Sequence, residues 1–353
     1  MRSKVKSIKL ECDYDLRGER DFRLSQSLIN IVRLKAWRSW LESDFQFALL
    51  TIAYVVIGAG LHSDLYAFRT ILLVGSIAVY LAFMILVNDY FDMPFDEIAG
   101  KKRSIFYLPK PLLQLLLLAL IFGTVATLAS ISNLTYTLLY VTATILTTLY
   151  SIPKPRLKEK GAVGVVADVT FEKTLPALMV GAFYGWFNFQ ILLIVILGSA
   201  FHLEMILHHQ LEDYENDRAS GVETFVSSVI GKVTATRVLD RYVRPLATLL
   251  FLVFCSLVMF LFNFTIVILL VALLVFFVLR TNSKFFRVLS RDKYRPAYFS
   301  YVVVILDNLM GPTLALYLTI LDLRYLPIAL ISFLSQSERY LHFGGAVLEE
   351  IGR

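Results

Sequence analysis

The chain has 353 residues, of which 57% are apolar and 18% charged, with a formal net charge of +6 and a mean hydropathy of +0.67. So little charge cannot cover a soluble domain of this length, and the long uninterrupted apolar runs make the bilayer the expected solvent; the excess positive charge then belongs to a membrane boundary and not to a nucleic-acid partner. Cys12 and Cys255 lie far apart and in no metal-ligand spacing, which argues against a disulfide framework or a zinc site.

Residues 1–44 form a polar, basic N-terminal segment, and the first apolar run begins too late to be the core of a signal peptide. Within it, residues 24–41 place Trp37 and Trp40 among Arg33, Lys35 and Arg38, the pattern of an amphipathic helix lying on the inner membrane surface. A spanning helix needs about 20 apolar residues. Nine spans are expected, near 45–61, 68–87, 111–130, 133–150, 163–183, 188–208, 243–262, 264–279 and 298–320. The membrane domain therefore covers 45–320, and 321–353 is a C-terminal segment. Its apolar run 326–334 is too short to cross and reads either as an interfacial segment or as an extension of the ninth span. The fold class is all-α, a polytopic membrane helix bundle.

Arg and Lys crowd the segment before the first span and the loops after the second, fourth, sixth and eighth, whereas the loops after the first, third, fifth and seventh hold none. Basic residues beside spans stay in the cytoplasm. The N-terminus and the basic loops are therefore expected inside the cytoplasmic membrane, and the C-terminus of a nine-span chain outside.

One internal repeat stands out. Asp92-x3-Asp96-x3-Gly100 follows the second span, and Asp213-x3-Asp217-x3-Gly221 follows the sixth. The spans around each copy correspond, which predicts two four-helix halves plus a ninth helix, with a site between facing helices.

The first copy sits in Asn88-Asp89-Tyr90-Phe91-Asp92-Met93-Pro94-Phe95-Asp96. At about 100° per residue, Asn88, Asp89, Asp92 and Asp96 share about 100° of arc if the helix continues through Pro94. Carboxylates this close repel one another and are costly to bury alone. A hard divalent cation resolves the conflict, and Mg²⁺ prefers oxygen ligands shared with phosphates. In the second copy Asp213 and Asp217 share a face, and His209 and His202 precede Asp213 on it, while Glu204 projects the other way. Two acidic clusters on one cavity suit Mg²⁺ ions that neutralise a diphosphate leaving group. Lys101, Lys102 and Arg103 after the first motif, and Arg156 and Lys158 in the proline-stiffened stretch 150–158, are the basic candidates for its outer oxygens.

These stretches resemble the UbiA superfamily of intramembrane prenyltransferases: Asn-Asp-x-x-Asp-x-x-x-Asp from Asn88 to Asp96, Tyr-Ser-x-Pro-x-x-Arg-Leu-Lys from Tyr150 to Lys158, and Asp-x-x-x-Asp at Asp213 and Asp217. The resemblance covers roughly residues 30–320. It implies Mg²⁺-dependent substitution at C1 of an allylic isoprenoid diphosphate by a lipophilic acceptor. It places Asn88, Asp92, Asp96, Asp213 and Asp217 around metal and diphosphate, and Tyr150, Arg156 and Lys158 in the segment that binds or caps the diphosphate. Two other readings compete: a terpene cyclase that captures the same cation internally, and an ion-coupled transporter, whose site would lie nearer the midplane.

Polar residues also fall inside the spans: Asp168, Glu172, Lys173, His202, Glu204, Asp307 and Asn308. Such residues are costly in lipid and are expected to face the bundle. Lys173 is expected to pair with an acid such as Glu172 or Asp307. His202 and His209 are the candidates for taking up the proton released on transfer, because imidazole titrates near neutrality.

Overall fold

The computed structural model describes residues 24–34, 43–61, 64–98, 100, 104–261 and 310–335. All regular structure among them is helical. The eighth expected span, the first part of the ninth, Trp37, Trp40, Lys101, Lys102, Arg103, Asp307 and Asn308 lie outside the described residues.

Leu24–Val32 forms a short helix, α1, packed on a 3₁₀ turn at Ser104–Tyr107. The first expected span corresponds to α2, Ser43–Gly58. The second is α3, Asp64–Ile98, which runs well past the expected end at 87 and carries Pro94 inside it. A proline removes one backbone donor from a helix, yet α3 continues, so the whole first motif lies on one rigid rod. The third and fourth expected spans correspond to α4, Lys110–Ile131, and α5, Leu134–Ser151. Asn133 caps α5 by accepting from the Tyr136 amide, and its own side-chain amide donates to the Ala182 carbonyl at 3.0 Å.

The fifth expected span is a single helical run with a change of pitch. Ala162–Val169 (α6) and Leu175–Tyr184 (α7) are joined by a π-turn at Thr170–Thr174. Such single π-turns often accompany functional sites, and this one contains Glu172 and Lys173. Gly185, with φ of 67°, ends α7. The sixth span is α8, Phe189–Glu212, capped by Asn188. A short helix α9, Tyr214–Ser220, then leads to a π-turn at Phe225–Ile230 that ends at Gly231, whose φ of 73° is not helical, after which α10 (Gly231–Val238), a π-turn at Leu239–Val243 and α11 (Arg244–Leu261) follow. The seventh span was expected to begin at 243. Helical structure begins earlier, at the turn that Thr224 caps, its side chain accepting from the Ser227 amide in a capping box.

Among the described residues, four stretches are long and apolar enough to cross a membrane: Tyr66–Ile98, Lys110–Ile131, Phe189–Glu212 and Phe225–Val258. Lipid tails give apolar helices little reason to associate, so packing and interhelical hydrogen bonds hold such bundles. Ser76 and the Tyr136 hydroxyl meet at 2.7 Å, and the Tyr80 hydroxyl donates to the Phe171 carbonyl at 2.7 Å. The Phe47 ring fits against Gly198 and stacks on Phe201. The last described elements return to the first span. Helix α12, Gly311–Leu321, packs on α2, and after a turn at Asp322–Tyr325 the run 326–334 forms a separate helix, α13 (Leu326–Ser335). Gln46 of α2 accepts from the Ser332 hydroxyl at 3.0 Å, so α13 is docked inside the fold.

Candidate active site

One cavity of about 370 Å³ gathers the ends of both motif helices. The period of α3 puts Asn88, Asp92 and Asp96 along one ridge, and all three line the cavity. Asp89 is 4% exposed and does not line it. Asp89 stands a quarter-turn around the rod from Asn88, beside the ridge. From the other half, Asp213 at the end of α8 and Asp217 on α9 face the same space, with Asn216 and Thr224. The Thr224 hydroxyl donates to Asp217 Oδ2 at 3.1 Å, and the Asp217 amide donates to the Asp213 carbonyl at 2.8 Å. Thr224 was not singled out from the sequence; its place as a helix cap just beyond the second motif is the signal that points to it.

The repeated glycines have a common function. Gly100 and Gly221 have φ of 69° and 75°, the left-handed region that favours glycine. Each stops a motif helix just past its last aspartate.

The loop 152–161 forms the basic side of the cavity mouth. Lys158 and Arg156 both engage Oδ1 of Asp92, Arg156 at 3.2 Å. Arg156 is only 5% exposed. It also pairs with Glu159, donates to the Ser151 carbonyl at 3.4 Å and lies 4.0 Å over the Phe95 ring. Its φ of 51° is unusual for a residue with a side chain, and these contacts offset the local strain. Burial lowers the Lys158 pKa from its usual value, while the Asp92 carboxylate acts in the opposite direction. The Ser151 hydroxyl donates to Asn88 Oδ1 at 3.3 Å, which links this loop to the first motif.

Deeper in the cavity lie Tyr150, Phe171, Asp168, Glu172, His202 and Asp44. The Tyr150 and Phe171 rings meet edge to face, with centroids 5.1 Å apart. His202 Nε2 is 2.8 Å from Asp168 Oδ2 and 3.2 Å from Glu172 Oε2. Lys173, fully buried, pairs with Asp44 at the start of α2, an acid not among those expected for it. Asp44 sits one position before the expected first span, which hid it from a reading of span interiors. His209 also lines the cavity, but at its mouth: its side chain is 67% exposed and Nε2 is 3.7 Å from Asp213 Oδ2. Glu204 points away from the cavity and meets Arg244 at 3.4 Å.

The donors that the two motifs present are all oxygens: the carboxylates of Asp92, Asp96, Asp213 and Asp217 and the amide oxygen of Asn88. This set fits a hard divalent cation such as Mg²⁺. Asp44, Glu172 and His202 also bring ligand atoms within 4.8 Å of one another. There, however, the Lys173 ammonium already meets the Asp44 charge.

Fold and site together define a polytopic α-helical membrane protein whose two acidic helix ends and one basic loop close on a single cavity. The sequence matches the UbiA prenyltransferase family over residues 47–305, and the chain belongs to that family. Among solved structures, a UbiA homolog from Archaeoglobus fulgidus bound to DMAPP and Mg²⁺ is similar at 18% identity, covering 86% of this chain and 99% of that one, with a TM-score of 0.52. The same homolog bound to GPP and Mg²⁺ gives 18% identity, the same coverages and a TM-score of 0.51. The apo structure of a UbiA homolog from Aeropyrum pernix K1 gives 14% identity, covers 88% of this chain and 99% of that one, and has a TM-score of 0.50. A comparison with curated proteins returns no match.

Proposed function

We propose that this protein transfers a prenyl group from an isoprenoid diphosphate to a lipophilic acceptor and releases diphosphate, with its cavity mouth on the cytoplasmic face of the cell membrane. The observation that carries this reading is the convergence of both acidic motifs and the loop bearing Arg156 and Lys158 on one cavity. Membership of the UbiA prenyltransferase family supports it, as do the solved relatives bound to DMAPP or GPP with Mg²⁺.

Asn88, Asp92, Asp96, Asp213 and Asp217 would hold Mg²⁺, which when bound neutralises charge developing on the leaving diphosphate. Arg156 and Lys158 bind outer phosphate oxygens, exchanging their contact with Asp92 for the substrate. The tight packing of Arg156 against Phe95 and Glu159 means that this exchange needs little reorganisation. Met84, Ile85 and Phe171 supply apolar wall for the prenyl chain, and their exclusion of water protects an allylic cation from hydrolysis. His209 stands at the exposed mouth, 3.7 Å from the Asp213 carboxylate.

The test is direct. Purified protein is incubated with labelled prenyl diphosphates of several lengths, with and without a lipid extract of the host, and products are identified by mass spectrometry. Extract-dependent prenylated product and diphosphate release are expected. A cyclic hydrocarbon formed from donor alone would assign a terpene cyclase, and transport without diphosphate release would overturn the enzymatic reading.

A further inference from the structure

Oδ1 of Asp92, an oxygen that the first motif offers to a divalent cation, is engaged twice over. Lys158 and Arg156 of the loop 152–161 both reach it, Arg156 through Nη2 at 3.2 Å. None of the three is a surface group: the side chains of Arg156 and Lys158 are 6% and 11% exposed, and that of Asp92 is 18% exposed. The two cations differ in what else holds them. Arg156 also has Glu159 on Nε, the Ser151 carbonyl on Nη1 and the Phe95 ring against its face, so it keeps a carboxylate when it leaves Asp92. For Lys158, among the described residues, Asp92 is the carboxylate within ion-pair distance.

To coordinate a divalent cation through Oδ1, Asp92 must release the Lys158 ammonium. With no anion to receive it, that ammonium is left buried next to the Arg156 guanidinium, and an uncompensated buried charge is strongly unfavourable. A diphosphate removes the conflict. Its outer oxygens accept hydrogen bonds from both cations as Asp92 gives them up, and such charge-assisted bonds are the strong ones. Binding of the cation and binding of the diphosphate therefore favour each other through Lys158, over and above their direct attraction, and such a coupling acts equally in both directions.

We propose that Lys158 makes Asp92 a conditional metal ligand, so that the first motif takes up a divalent cation tightly only together with a diphosphate and holds off the free cation; this rests on the prenyl-transfer reading. The ligand of the site is then the complex of metal and diphosphate, not the two in independent steps. Lys158 guards the first motif alone. Asp213 and Asp217 of the second motif face the cavity from the other half, where Asp217 accepts from the neutral Thr224 hydroxyl. The same exchange runs backwards after transfer. As the free diphosphate departs, Lys158 returns to Asp92 and loosens the cation, so both products of the ionisation leave the site together.

The experiment uses the full chain in nanodiscs of zwitterionic lipid. Mn²⁺, which shares the oxygen preference of Mg²⁺, is the metal probe, and methylene diphosphonate is the diphosphate probe. Protein-bound Mn²⁺ is measured by equilibrium dialysis at fixed free Mn²⁺, read by electron paramagnetic resonance, with and without the diphosphonate. The wild type is expected to bind Mn²⁺ weakly alone and about 5- to 150-fold more tightly with the diphosphonate. Lys158→Met should move the two constants in opposite directions: Mn²⁺ alone binds at least about 5-fold more tightly than to the wild type, and the enhancement by diphosphonate shrinks. Loss of a merely structural side chain would weaken both. Lys160→Met makes the same charge change at an exposed position of the loop and should leave both constants at their wild-type values. Should the methionine variant not fold, Lys158→Gln is read in the same way. Mn²⁺ alone bound no more tightly by Lys158→Met, an undiminished enhancement, or equal tightening in Lys160→Met would overturn the proposal. A wild type that shows no enhancement yet releases diphosphate from labelled prenyl diphosphates would also overturn it. A wild type that releases none in the presence of the lipid extract would instead refute the prenyl-transfer reading itself.

Discussion

Gly164 is where α6 passes the backbone of the loop that holds Arg156 and Lys158. A Cβ added there would lie 2.6 Å from the Leu157 carbonyl oxygen and 3.0 Å from both the Cα and the carbonyl oxygen of Lys158. These are backbone atoms, so no side chain can swing aside. Ordinary contact begins at 3.4 Å, so in this close-packed region the loop must retreat by about 0.8 Å or the first turn of α6 must distort. Overpacking of this kind costs about 1–3 kcal/mol. It also moves the two cations: the 3.2 Å contact of Arg156 with Asp92 leaves hydrogen-bonding range. A misplacement of about 1 Å at a reacting centre can cost roughly 10²-fold. Gly164→Ala is therefore expected to fold with a lowered Tm and to lose about 10- to 10²-fold in kcat/KM for the prenyl diphosphate. The assay is the initial rate of diphosphate release against donor concentration, with Gly75→Ala as control, because a Cβ at Gly75 meets nothing within 4 Å. Wild-type kinetics for Gly164→Ala, or an equal loss for Gly75→Ala, would refute the reasoning.

Asp92→Ala and Asp213→Ala should each lower turnover by at least about 10²-fold, as removal of a group that stabilises transition-state charge does; a folded variant with near-normal turnover removes that residue from the site. Lys173→Met breaks a buried ion pair and leaves the Asp44 carboxylate uncompensated, a change expected to cost about 3–5 kcal/mol; thermal unfolding in detergent would report it, and an unshifted transition would contradict the role given to the pair. Cysteines placed at Ser104 and Ser220 should resist an impermeant thiol reagent in intact cells, because the basic loops beside them are expected in the cytoplasm; labelling of either would reverse the orientation.

The sequence by itself determined the parts of this protein that obey a local rule. The bilayer requires long apolar runs, so the class of fold was legible. The period of 3.6 residues carries a pattern along one helix, so the spacing alone places Asn88, Asp92 and Asp96 on one ridge. The repeat with its terminal glycines marked both helix ends, and the spacing of Tyr150, Arg156 and Lys158 marked the basic loop. Tertiary structure decided what depends on neighbours far apart in the chain. Asp89 falls within the same arc as its neighbours on a helical wheel, but packing places it off the cavity. The early start of the seventh helical run came from a cap at Thr224, which hydropathy does not register. Lys173 found Asp44, 129 positions away, because desolvation drives a buried ammonium to whichever carboxylate the fold brings within reach. His202 and His209 have the same relation to Asp213 on a helical wheel, yet one is buried against Asp168 and the other is exposed beside Asp213. A wheel records direction around the axis, whereas burial depends on which helices stand opposite at that depth, and only the assembled bundle sets that.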